Sequence, residues 1–278
     1  MYQYSISDPR GLEEEQIRRI APSVFAGAAH ESRSTRYAYI PTSMVLAGLA
    51  QEGFVPTAAM QSQSRIEGKS EFTKHLLRLR HRDDLGMTKP DVLEVVLVNA
   101  HDGSSAYKLY HGIFRMVCSN GLIAGDFSDT MSVRHTGNVV DEVIEGTYKL
   151  VEEGEKVMGH VEEMKQIELD RPEQLLLAQY TLKARFDLDD SEDGEQKKEV
   201  IYEPSDFLRR RRSADVGDDL YTVTNVVQEA AIRGGVKRLD GQGHRHSTRT
   251  IHGIDQTVRL NKLVWQFAEE LRKFKHSQ

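Results

Sequence analysis

Between Phe54 and His135 the sequence runs through short strand-like stretches separated by turn residues, and after Gly137 that rhythm stops. Such a change of period constrains a fold strongly. Apolar side chains at every second position need a sheet to bury them, whereas a repeat of 3.6 needs a helix. Residues 54–66 and 71–82 read as two strands joined at Glu67-Gly68-Lys69, the second alternating Leu77 and Leu79 with Arg78 and Arg80. Residues 91–100 (DVLEVVLVNA) form the clearest strand. Asp102-Gly103 then turns the chain, residues 106–118 return, Asn120-Gly121 turns it again, and residues 130–135 add a further strand. Ahead of this meander, residues 12–20 and 43–51 read as helices.

Beyond Gly137 come long helical stretches, 139–168 and 172–186, with Pro172 placed for a first turn. Residues 187–198 are nearly all polar and read as a surface loop or disordered link. Helices resume at 203–212 and 222–233. A basic loop rich in Gly and His, 234–253, leads into a last helix, 255–275. There Val258, Val264 or Trp265, Phe267, Ala268 and Leu271 make a buried stripe. The expected fold class is therefore α+β. An antiparallel β-meander flanked by helices (1–137) is followed by a mainly helical half (138–278), packed on it as one continuous globular unit.

The 278 residues suffice to bury a core unaided. No apolar run approaches the roughly 18 residues of a membrane span, and the first residues show no basic-then-apolar leader. The one cysteine, Cys118, precludes an internal disulfide, and together these features point to the cytoplasm. The net charge of −6 is unevenly spread: residues 138–200 hold 18 acidic against 8 basic side chains, leaving the remainder net positive. Basic residues concentrate at 65–82, in the arginine run 209–212, and at 233–252, an arrangement suited to phosphate binding.

Several groups invite a catalytic reading. His101 beside Asp102, with Asn99, could do acid–base work, but Asp102 belongs to the turn and adjacent strand residues face opposite sides. Ser104 and Ser105 lack a G-x-S-x-G elbow and read as turn caps. Cys118, near His101 and His111, sits beside Met116-Val117 and reads as a small core hydrophobe. His244, His246 and His252 with Asp240 could ligate zinc, yet no second cysteine or HExxH spacing supports them. No Walker loop or GxGxxG run is present. No cofactor is expected, and no catalytic residue is assigned.

What remains is a basic meander carrying aromatics: Tyr107, Tyr110 and Phe114 near Lys108 and Arg115. Cations that follow phosphates, interleaved with flat rings that stack on bases, suit single-stranded nucleic acid.

The run VNAHDGSSAYKLYHGIFRMVCSNGL, together with RGGVKRLDGQGHRHSTRTIHGIDQTVRLNKLVWQFAEEL, resembles the phage/plasmid-like family known as domain of unknown function 932. The likeness extends over residues 37–271. Its markers are Asn99, His101, Asp102 and Gly103; Arg115, Cys118, Asn120 and Gly121; and the segment from Ser247-Thr248-Arg249 to Asn261 and Trp265. The resemblance implies a mobile-element setting, hence DNA metabolism, recombination or evasion of host defence, and carries over no catalytic residues. The layout of β-meander, helices and basic clusters is also similar to that of phage single-strand annealing proteins, which work without ATP as rings or filaments.

The leading expectation is an oligomeric protein, not an enzyme, that binds single-stranded DNA along a basic groove and anneals or protects the strand. Arg78, Arg80, Arg115, Arg245 and Arg249 are expected on phosphates, supported by Lys74, Lys108 and Lys237, with Tyr107 or Tyr110 stacked on a base. The alternative is an anti-defence or regulatory protein whose acidic half binds a host DNA-metabolism or defence protein.

Overall fold

The computed structural model describes residues 5–28, 39–63, 70–86, 90–115, 120–124, 131–133, 138–186, 202–213 and 215–277. In chain order the first half forms β1 (Ser5–Ser7), α1 (Glu14–Ile20), α2 (Thr42–Gln51), β2 (Phe54–Gln61), β3 (His75–His81), β4 (Asp91–Asn99), β5 (Tyr107–Arg115), β6 (Asn120–Ala124) and β7 (Met131–Val133). Then follow α3 (Val139–Met164), α4 (Arg171–Phe186), α5 (Pro204–Phe207), α6 (Leu220–Arg233), β8 (Lys237–Leu239), β9 (Arg245–Ser247) and α7 (Ile254–His276). The fold is mixed α+β, with its helices concentrated in the C-terminal half. No helix among the described residues is long and apolar enough to cross a membrane.

Contacts divide the chain into two units: Met1–Phe114 with Phe127–Glu155, and Arg115–Asp126 with Lys156–Gln278. The backbone therefore passes from one to the other at 114/115, 126/127 and 155/156.

The first unit is built on strands in the order β1-β2-β3-β4-β5, with β7 also paired to β5. The β1–β2, β2–β3, β3–β4 and β5–β7 ladders are antiparallel. Register sorts the side chains. Leu77 pairs with Leu97 and Leu79 with Val95, and all four join a core with Val45 and Leu49 of α2 and Val139, Val143 and Leu150 of α3. In that helix the i, i+4 and i+11 positions fall on one face, so a chain dense in glutamate still buries an apolar stripe. The other face of β3 and β4 carries Arg78, Arg80 and Glu94, all buried. Both faces of the central strands are thus withdrawn from water, which sequence alternation alone does not announce.

The second unit packs α7 against α4, α6 and β6. Val264, Trp265 and Ala268 are buried, and Phe267 stacks on Tyr180 with centroids 4.3 Å apart. Asn261, fully buried, ties three elements: its Oδ1 accepts from the Ile123 amide at 3.3 Å and from Gln228 Nε2 at 2.8 Å, while its Nδ2 donates to the Thr257 carbonyl.

Three expectations need correction. The helix expected over 203–212 is only Pro204–Phe207, because the arginines that follow turn to separate acceptors. Arg210 donates to the Gly217 carbonyl, Arg211 to that of Gly234, and Arg212 to Glu229. The stretch 234–253, expected as a loop, contains the antiparallel β8–β9 hairpin. The strand expected from residue 71 begins at His75, after a 3-10 turn at Ser70–Phe72. The Glu67-Gly68-Lys69 joint and Cys118 lie outside the described residues.

Candidate functional site

In the first unit, two of the expected phosphate ligands meet a single carboxylate. Arg80 Nη2 donates to Glu94 Oε1 at 2.7 Å and Arg78 Nη1 to Glu94 Oε2 at 3.2 Å. Thr57 Oγ1 adds a third donor, and the Arg80 guanidinium lies 4.7 Å above the Phe114 ring. A guanidinium this deep and already paired presents nothing to a phosphate, so Arg78 and Arg80 are core residues. Lys74 and Lys108 are half-buried.

The aromatics are corrected in the same way. Tyr110 is buried, and Tyr107 is fully buried with its hydroxyl donating to the Ile40 carbonyl at 2.9 Å. Neither ring is available to stack on a base.

Tyr107 belongs to a buried polar centre that includes His101, the candidate acid–base residue. Its proton positions follow from counting donors. Ser23 Oγ donates to Gln61 Oε1, so His75 Nδ1, 2.9 Å away, must donate to Ser23. His75 Nε2 therefore accepts, and the one proton of Thr42 Oγ1 is directed to it at 2.9 Å. Asn99 Nδ2 and His101 Nε2, both 3.1 Å from Thr42 Oγ1, then fill its two lone pairs as donors. Burial, reinforced by the neighbouring His101, lowers the His75 pKa to about 3, so the His75 ring is neutral. It acts as a polar brace among α2, β3 and β4. Asp102 serves the turn: its Oδ1 accepts the Ser104 amide at 2.9 Å, and Gly103 takes φ +77.

In the second unit, carboxylates hold several of the arginines. Arg115, an expected phosphate ligand, is buried with its Nη1 3.2 Å from Asp215 Oδ1. Arg212 and Arg233 converge on Glu229, while Arg238 pairs with Glu203 and Asp206.

The hairpin is different. Its base is clamped by Gly235 N to Thr248 O (2.7 Å), Thr248 N to Val236 O (3.0 Å) and Val236 N to Thr248 Oγ1 (3.1 Å). Asp240 organises its turn. Oδ1 accepts the Gln242 and His244 amides at 2.9 Å, and Oδ2 accepts from His246 Nε2 at 2.8 Å and His244 Nδ1 at 3.2 Å. These bonds, led by the one from His246, hold the Asp240 pKa down to about 2. Among the described residues, no group of three or more histidine, cysteine or carboxylate side chains is arranged to hold a metal ion.

On this frame Lys237 and Arg245 stand exposed and engage no carboxylate among the described residues. With Arg209, Arg238, Leu239, His246 and Ser247 they line an open cavity of about 570 Å³. Arg249, just beyond the hairpin, is also exposed. Of the ten expected ligands, the structure therefore brings Lys237 and Arg245 together on one surface element.

A family model described as "Domain of unknown function (DUF932)" matches residues 29–265. The chain belongs to the DUF932 family. It is also similar to two proteins of Escherichia coli strain K12, the UPF0380 proteins YafZ and YfjQ. Each is 40% identical over 262 residues, covering 94% of this chain and 92% of the relative. No solved structure matches it.

Sequence reading of this DUF932 chain missed Arg209, Arg238, Leu239 and His246 as lining residues. Arg209, Arg238 and His246 lay within the basic clusters read as suited to phosphate, whereas Leu239 had no signal until the ladder set it opposite Arg245.

Proposed function

We propose that this DUF932 protein binds single-stranded DNA through the β8–β9 hairpin and, as a cytoplasmic homo-oligomer, anneals or protects the strand without ATP. One observation carries this reading. Lys237 and Arg245, which pair with no carboxylate among the described residues, line an open cavity on a clamped hairpin, while Arg209 and Arg238 of the same lining are held by Asp206 and Glu203. Rigid presentation of uncompensated positive charge favours a polyanion over a protein core contact. The annealing activity is taken from the resemblance of layout, read in the sequence, to phage single-strand annealing proteins.

Salt titration of a labelled oligonucleotide tests it. Log affinity should fall linearly with log salt at a slope of about −0.7 per phosphate contact. Arg245→Gln and Lys237→Gln should each lower the slope by about one contact. Binding that is absent at low salt, or insensitive to salt, overturns the proposal.

A further inference from the structure

On a two-stranded ladder, side chains two residues apart share a face. Lys237 and Leu239 of β8 therefore lie on one face with Arg245 and Ser247 of β9, and Arg238 and His246 lie on the other. The burial follows this division: all four residues of the first face are exposed, and the other two are half-buried. Leu239 is 57% exposed, directly across from Arg245 and two residues from Lys237.

A single exposed leucine is ordinary. This one differs in its surroundings, because it lines a concave surface whose other walls are cationic or polar, and its cross-strand neighbour, Arg245, is a lining cation that pairs with no carboxylate among the described residues. Such a surface matches a ligand with anionic and flat apolar parts side by side. Unpaired nucleotides have both, whereas a duplex keeps its base faces inside the stack. The aromatic rings that would ordinarily supply the apolar contact, Tyr107 and Tyr110, are buried.

Building on the reading of this hairpin as the phosphate-binding surface, we propose that Leu239 is the base-contact residue. It packs against an unpaired base whose phosphate is held by Arg245 and Lys237. His246, on the opposite face of the ladder and held by Asp240 at 2.8 Å, also borders the cavity. The ladder spacing fits: directly opposed residues lie about 5 Å apart, near enough for one nucleotide to touch both Leu239 and Arg245. Leu239 thereby selects single strands, while the cations supply affinity for any strand.

Fluorescence anisotropy with the full chain tests this, using labelled oligothymidylate, an abasic strand of equal length and a duplex. Leu239→Ala should weaken oligothymidylate binding about fivefold to tenfold, as loss of one apolar contact implies. Its abasic and duplex binding, and its salt slope, should match the parent protein. Arg245→Gln should weaken all three ligands and flatten the slope. If Leu239→Ala leaves oligothymidylate unaffected, or weakens the abasic strand equally, base contact is overturned while the phosphate reading stands. If the parent protein binds none of the three at low salt, both readings fall.

Discussion

Arg80 and Glu94 face each other across the β3–β4 ladder with Nη2 and Oε1 2.7 Å apart, their side chains 2% and 1% exposed. Removing the carboxylate would leave that guanidinium, and Arg78 beside it, without the anion that offsets their desolvation. Glu94→Gln should therefore destabilise the protein by about 3–5 kcal/mol. Urea denaturation reads this, and a loss below about 1 kcal/mol would contradict the buried pairing.

The same pairing predicts what Arg80 does not do. Arg80→Lys, assayed where the variant remains folded, should bind oligonucleotide like the parent protein, whereas Arg245→Gln should not. Equal loss of affinity in the two variants would return Arg80 to the binding surface.

His75 gives a pH dependence with a definite sign. It is neutral when folded, with its pKa lowered from 6.5 to about 3 by burial and then by His101. The unfolded chain binds a proton there below its ordinary value. The folded state is therefore fully favoured above pH 6.5, and stability drains away as pH falls from 6.5 toward 3, by about 1.4 kcal/mol per unit for this one group. Urea midpoints from pH 7.5 to pH 4.5, compared with those of His75→Gln, measure the difference. Parallel curves for the two proteins would remove His75 as its source.

Gly234 ends α6 and admits the hairpin. Its φ is +66, and a Cβ there would lie 2.5 Å from the carbonyl carbon and oxygen of Arg249 and 2.6 Å from the Thr248 oxygen. Backbone atoms do not yield as a flexible side chain would, so Gly234→Ala must shift the hairpin base. Protease cleavage within residues 237–247 should quicken and oligonucleotide affinity should drop. An unchanged cleavage pattern would show that the clamp tolerates the methyl group.

The strands around Leu77, Leu79, Val95 and Leu97 were legible because their alternation is a property of the local chain. So was the α7 stripe, where Val258, Val264, Trp265, Ala268 and Leu271 are buried. The β8–β9 hairpin was not, since KRL and RHS carry no apolar rhythm. It forms through the Gly235–Thr248 bonds and the donors gathered by Asp240. For the site, Lys237 and Arg245 were legible as members of a basic cluster. Arg78 and Arg80 looked the same on paper. What separates them is Glu94, 14 residues beyond Arg80 in the chain and adjacent to it only once the strands pair.

Because the backbone crosses between units three times, neither unit corresponds to one uninterrupted piece of the coding sequence. During synthesis the first cannot be completed until Glu155 has left the ribosome, and by then Arg115–Asp126 of the second has already emerged. Truncation after Gly137 would strip Val139, Val143 and Leu150 from the core that α3 closes. Fragments intended to isolate the hairpin surface must carry both stretches of the second unit, joined by a new linker in place of residues 127–155.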